Sequence, residues 1–335
     1  MRKYWKIAAA STLSAMMLVG CGGVKVNTSL SDTYLMTVAG GELLRSEAMI
    51  VAMNYKCGYE KYNIDVSGPT FWEAESKDGR TYEDIVKNDV IWNELAALTA
   101  LNAMAERDGI FLSDEEEMAA EEAGRAYFQE LTQEERRYTG ASEKAAISLM
   151  EKYKTAEKEI ALCTQGEDLE ISDEETRVME LQVIYVTDEG TANQAYERVM
   201  SGEDFTTVAQ ELSQDPQIAY TVSRGEWNAT LENAVFSLET GEISPVVKAG
   251  QDFYIVQCVN DFDEALSQEN RGSILENRLY QAWKEQVQSY IGENPVKRNQ
   301  NVWEHIALDY VQGVNNDRFF DIYREYLGEQ SGSLS

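Results

Sequence analysis

Apolar residues recur at three- and four-residue steps along the first half of the chain, as in Ile91, Leu95, Leu98, Leu101 and Met104. That period puts them on one stripe and predicts amphipathic helices across residues 35–175. Gly109 should end that helix, because a left-handed C-terminal residue costs glycine nothing. Ser113-Asp114-Glu115-Glu116, Thr132-Gln133-Glu134-Glu135 and Ser172-Asp173-Glu174-Glu175 each set a hydroxyl three residues ahead of a glutamate. This spacing predicts capping boxes and helix starts, and acids there suit the helix dipole.

The period changes at Val178. Val178 to Val186 is rich in β-branched and apolar residues and reads as a strand closed by Asp188-Glu189-Gly190. Ala192, Ala195 and Val199 mark a helix, Phe205, Val208, Ala209 and Leu212 a second, and Leu231, Val235 and Leu238 a third. Val246-Val247 and Phe253 to Val259 read as strands. Strands alternating with helices over 178–262 predict a compact α+β unit between helical segments. Helix returns over 265–327, with a long stripe through Leu275, Leu279, Trp283, Val287 and Tyr290 that Asn294-Pro295 breaks. Phe319, Phe320, Tyr323 and Leu327 predict a last helix, and 328–335 a loose tail.

The first residues read as an address. Arg2, Lys3 and Lys6 precede an uncharged, mostly apolar run from Ile7 to Gly20. That run is shorter than the ~20 residues a spanning helix needs. It ends in Leu18-Val19-Gly20-Cys21, so 1–20 is expected to be a signal peptide and 21–34 a polar tether. An ordinary signal peptide with an incidental cysteine is the competing reading. Without Arg2, Lys3 and Lys6, 26 basic residues face 59 acidic ones, a net charge near −33. Such a surface repels nucleic acid and anionic lipid heads, and it tolerates a cationic or unfolded client. Cys57, Cys163 and Cys258 have no metal-like spacing, and pairing or burial as thiols is open. The single histidine, His305, excludes a His-rich metal site, no phosphate loop is present, and neither a metal nor a cofactor is expected.

Leu18 to Cys21 resembles the lipobox of bacterial lipoproteins, which implies lipidation of Cys21. The stretch 178–260 resembles the parvulin-type peptidyl-prolyl isomerases. The likeness is carried by Val183 to Glu189, Ala192 through Ser201 to Phe205, Val208 to Pro216, Leu231 to Leu238, and Gly241-Glu242-Ile243-Ser244-Pro245-Val246-Val247. Around it, Ala39 to Glu42, Ser46-Glu47 and Ala103 to Glu116 resemble the N-terminal domain of SurA. The whole chain is similar to the PrsA-type foldase lipoproteins of Gram-positive bacteria. That resemblance implies an α+β fold, an all-helical SurA/PrsA-like chaperone domain with an inserted parvulin domain. It also implies unfolded or partly folded exported proteins as clients, and a lipid anchor on the outer face of the cytoplasmic membrane. A homodimer is left open.

Parvulins use two histidines, a Cys or Asp, and a Met/Phe proline pocket. Laid onto this chain, the histidine positions fall on Val183 and Tyr254, and the Cys/Asp position on Asp215. The pocket phenylalanine falls on Leu231, Phe236 is kept, the methionine has no counterpart, and the glycine-rich loop is shortened to 224–230 around Trp227. The resemblance thus implies a degenerate catalytic set of Asp215, Tyr254 and Val183, and a binding set of Trp227, Leu231 and Phe236. Each has a structural role open to it: a turn for Asp215, sheet for Tyr254, loop packing for Trp227, core for Leu231 and Phe236. The expected function is a tethered foldase with weak or absent isomerase activity. The alternatives are a working isomerase with an altered site, and a solute-binding lipoprotein, against which the helical first half counts.

Overall fold

The computed structural model describes residues 25–26, 33–166 and 170–328. The signal peptide and Cys21 lie outside them. The chain divides into two units, with breaks between residues 167 and 168 and between 278 and 279.

In the first unit, helix Arg45–Ser67 runs through the core with Ala48 to Met53 all buried. Helix Trp92–Asp108 is buried continuously from Trp92 to Leu101. The single stripe expected there is thus a central helix covered on every side. Its end is as expected: Gly109 takes the left-handed conformation (φ 73°). Capping boxes at Ser113 and Thr132 open helices Asp114–Glu130 and Gln133–Thr139. The box at Ser172, in the second unit, opens only the single turn Asp173–Thr176. Helix Glu143–Cys163 packs on Asp114–Glu130 so closely that the Cβ of a residue replacing Gly124 would lie 2.5 Å from the Ile147 Cα.

The first unit also holds a sheet that the helical reading did not include. Strands β1 (Lys25–Val26), β2 (Tyr34–Val38), β3 (Gly41–Leu44) and β8 (Lys297–Arg298) run in the order β1-β8-β2-β3. β1 lies in the segment read as a tether and pairs with β8 in parallel. Two-residue strands carry no periodicity, and the short run of β2 cannot be told from helix by pattern. Phe319–Leu327 closes the core, where Phe319 meets Tyr127 and Tyr153 at ring distances of 5.2 and 5.7 Å. Glu94, 1% exposed, accepts hydrogen bonds from the hydroxyls of Tyr55 and Tyr153. Cys57, Cys163 and Cys258 are buried free thiols.

The second unit is built on an antiparallel sheet of β4 (Val178–Val186), β5 (Ala219–Ser223), β6 (Val247–Ala249) and β7 (Asp252–Asn260), in the order β5-β4-β7-β6. β5 has no counterpart in the expected strands. Alternate residues divide the sheet into two faces. Ile184, Val186, Phe253 and Ile255 pack with Ala192, Ala195, Val199, Phe205 and Val208, which belong to helices Glu189–Met200 and Phe205–Leu212. Leu181, Val183, Val256 and Cys258 pack with Leu231, Val235 and Phe236 around helix Ala229–Val235. Helix Glu264–Glu293 begins in this unit: its Ser267 Oγ accepts from Val178 N (3.0 Å), and Arg271 donates to the Ile171 carbonyl (2.6 Å). No helix among the described residues is long and apolar enough to cross a membrane.

Candidate functional site

The face of the second sheet that carries Val183 opens into a cavity of about 360 Å³. Val183 and Tyr185, two apart on β4, share that face, and the register sets Tyr254 of β7 opposite Tyr185. The two tyrosine rings stand 5.3 Å apart. Val183, Asp215, Trp227, Leu231 and Tyr254, spread over 72 positions of sequence from Val183 to Tyr254, all line this cavity.

Asp215 is held in place by the turn after helix Phe205–Leu212. Ser213 Oγ accepts from the backbone N–H of Tyr185 (3.2 Å) and of Asp215 (3.3 Å), and Gln214 N donates to the Tyr185 carbonyl (2.8 Å). Asp215 Oδ1 accepts from Gln217 N (2.9 Å), which is the turn role its place before Pro216 allows. Its Oδ2 accepts from the Tyr220 hydroxyl (2.7 Å) at the cavity. The turn role and the cavity role are thus filled by different oxygens of one carboxylate. Trp227 meets Tyr220 edge-on at 6.0 Å. Asn228 caps helix Ala229–Val235 by accepting from Leu231 N (3.1 Å), which fixes Leu231 as buried floor.

Phe236 does not join them. It lies beneath the guanidinium of Arg224 (4.3 Å) and lines a separate cleft with Arg177, Leu238 and Phe262. Both residues belong to one core, yet Phe236 follows the last residue of helix Ala229–Val235 and the cavity lies only over the Leu231 end. Tyr185 and Tyr220 line the cavity and were not anticipated, and Glu226 and Asn228 join it from the loop 224–230 that the sequence set before the pocket. The period of β4 could have found Tyr185 from Val183. Tyr220 needed β5, which the pattern did not disclose.

No imidazole lines this cavity. The chain's one histidine, His305, ends helix Gln300–Glu304 in the first unit, where Nδ1 lies 2.7 Å from the Asn301 carbonyl. Burial, and after it nearby carboxylates, push the hydroxyls of Tyr185, Tyr220 and Tyr254 above their ordinary pKa. For Tyr220 the carboxylate is Asp215, and for Tyr185 and Tyr254 it is first Asp252. All three therefore stay protonated across the neutral range, and the hydrogen of Tyr220 is committed to Asp215. The cavity offers an apolar floor, aromatic walls and phenol donors. Such a lining can hold an apolar ring and hydrogen-bond a polar group beside it.

Residues 187–260 match the family of PPIC-type peptidyl-prolyl isomerase (rotamase) domains. Over 290 residues the chain is 27% identical to Foldase protein PrsA of Caldanaerobacter subterraneus, covering 79% of this chain and 86% of that one. It is 32% identical over 113 residues to Foldase protein PrsA of Oceanobacillus iheyensis, covering 30% of this chain and 38% of the relative. The crystal structure of a peptidylprolyl isomerase (PrsA) from Bacillus cereus aligns over 74% of this chain and 97% of its own, at 18% identity and a TM-score of 0.40. The rotamase match thus falls within the second unit, whose stretch of chain interrupts the mainly helical first unit, and most of the chain is similar to a PrsA foldase.

Proposed function

We propose that this chain, a rotamase domain carried within a PrsA-like frame, is a foldase for exported proteins whose parvulin site holds prolyl segments but isomerises them poorly. The observation that carries this reading is the cavity itself: an apolar floor of Val183 and Leu231, aromatic walls, and no imidazole in its lining. Asp215, Tyr254 and Val183 stand for the catalytic set, and Trp227 and Leu231 for the binding set. The clients are unfolded or partly folded chains, and affinity for them should be modest and broad, since binding must offset the ordering of both partners. The domain limits proposed for experiments are 35–175, 178–262 and 265–327, with 21–34 as tether.

A prolyl-peptide isomerase assay run beside an aggregation-suppression assay tests this, both on the chain from residue 22. The expected outcome is client protection with a kcat/KM well below the ~10⁴ M⁻¹s⁻¹ lower range of ordinary enzymes. Turnover at or above that value would refute the degenerate reading. It would favour the second one, a working isomerase, for which the Asp215–Tyr220 hydrogen bond speaks because it holds a carboxylate and a phenol together at the cavity. Asp215→Ala should then abolish the activity.

The anchor belongs to the same proposal. Lipid on Cys21 would hold the protein on the outer face of the cytoplasmic membrane. Its acidic body is repelled by anionic head groups, so the lipid alone supplies the attachment. Cys21→Ala should move the protein from the membrane pellet to unprocessed or shed forms. Undiminished lipid labelling of that variant would overturn the anchor.

A further inference from the structure

The charge around the cavity has a consequence for what it accepts. Asp215 and Glu226 line it, and Asp252, the first residue of β7, lies near enough for its charge to raise the hydroxyl pKa of Tyr185 and Tyr254. Glu226 is exposed and has no hydrogen bond or ion pair among the described residues. The second unit holds six basic residues between 170 and 278, and each is engaged elsewhere. Arg177 donates to the carbonyls of Phe236 (3.0 Å) and Asp261 (2.7 Å). Arg198 is paired with Glu203 and Glu211, and Arg224 with Glu174. Arg271 holds Asp173, Arg278 holds Glu175, and Lys248 lies over the Phe253 ring (5.3 Å) on the opposite face of the sheet. None of the cavity's lining residues is a cation. Two carboxylates therefore line an aromatic-walled opening and a third lies close by, with no cation of their own unit in the lining.

We propose that the cavity selects prolyl segments in which the residue before proline is Lys or Arg. This rests on the reading of the cavity as a proline site and deepens it. With the proline ring on Val183 and Leu231, the preceding residue is ~3.8 Å further along the chain, and its side chain must leave across the rim. There the walls are Tyr185, Tyr220, Trp227 and Tyr254. A Lys or Arg stem covers such rings while its charge reaches a carboxylate, and a cation above an aromatic face is itself attracted. An acidic residue in the same place meets Asp215, Glu226 and Asp252 and is repelled. The selection is thus set by rejection as much as by attraction.

Calorimetric titration of the chain from residue 22 with three peptides, identical except for Lys, Ala or Glu before a single proline, tests the proposal. The expected order of affinity is Lys, then Ala, then Glu, with Lys over Glu by about tenfold at low salt, the size expected of partly exposed charge pairs. The ratio should shrink as salt is raised, because exposed charges are screened. Glu226→Gln, at an exposed position that supports no other group, should lower the Lys-to-Glu ratio. Equal affinities for the three peptides, or a ratio indifferent to both salt and Glu226→Gln, would overturn the selectivity while leaving the proline site standing. A peptide carrying Ala in place of proline separates the two ideas. If it binds as well as its proline counterpart, the cavity is not a proline site, and both readings fall.

Discussion

Gly124→Ala is expected to lower the stability of the helical unit by about 2 kcal/mol, although alanine is the better helix former. Two effects oppose each other at this position. Alanine in place of glycine within a helix gains up to ~1 kcal/mol of propensity. Against that, the added Cβ would lie 2.5 Å from Ile147 Cα and 2.6 Å from Ile147 N. Those are backbone atoms of a helix packed along its length, so no rotamer change relieves the contact. The helices must separate, and overpacking of this kind costs ~1–3 kcal/mol, with a backbone clash at the upper end. Packing also suffers beyond the pair, because Tyr127 on the same helix carries the ring contact to Phe319. The thermal midpoint of the unit should fall by roughly 5 °C. A scan showing an unchanged or higher midpoint would mean that the two helices can part without loss.

The second large effect is on pH dependence. Burial pushes Glu94 up to about 7, against the partial relief of hydrogen bonds from Tyr153 and Tyr55. The folded carboxyl thus holds its proton more tightly than the unfolded one. Its stabilising contribution is fully present below the ordinary glutamate value near 4.5, falls as pH rises from there, and is gone above about 7. The size of the loss is roughly 3 kcal/mol. Glu94→Gln removes the charge while its amide can still serve both phenols, so the variant should lack this component. Denaturation at pH 5 and pH 8, followed by hydrogen exchange in helix Trp92–Asp108, gives the comparison. Glu159, also raised to about 7 by burial and by Asp108, contributes in the same direction in both proteins and cancels in the difference. Parallel pH profiles for the wild type and the variant would show that Glu94 is ionised in the folded state.

Much of the fold was legible because its signals are local. A capping box requires a hydroxyl and a glutamate three residues apart, and the boxes at Ser113 and Thr132 form as their spacing demands. Gly109 ends its helix for a reason contained in one residue, its freedom at positive φ. The long helix Glu264–Glu293 stops before Asn294-Pro295 because proline cannot continue it. The alternation of strand and helix over 178–262 likewise fixed the α+β character of the inserted unit, with β4 and β7 covering most of the runs that predicted them.

What the pattern missed depends on partners distant in sequence. β8 is two residues long and becomes a strand only because β2 and β1, more than 250 positions away, supply its hydrogen bonds. Helix Trp92–Asp108 looks one-sided in sequence, since alanine and threonine between its leucines carry little signal, yet the helices around it bury them too. The site divides in the same way. The sequence by itself determined which residue types are available to the site, and with its one histidine at 305 it left Val183 and Tyr254 to bring no imidazole. Only the tertiary structure decided which of those residues meet. The register of β4 against β7 placed Tyr185 beside Tyr254, the pairing of β5 with β4 brought Tyr220 onto Asp215, and the turn of helix Ala229–Val235 sent Phe236 to another cleft. Residue identity is written position by position along the chain. Which side chains share a cavity is set by strand register and helix packing, and those are won by contacts between segments that no local window contains.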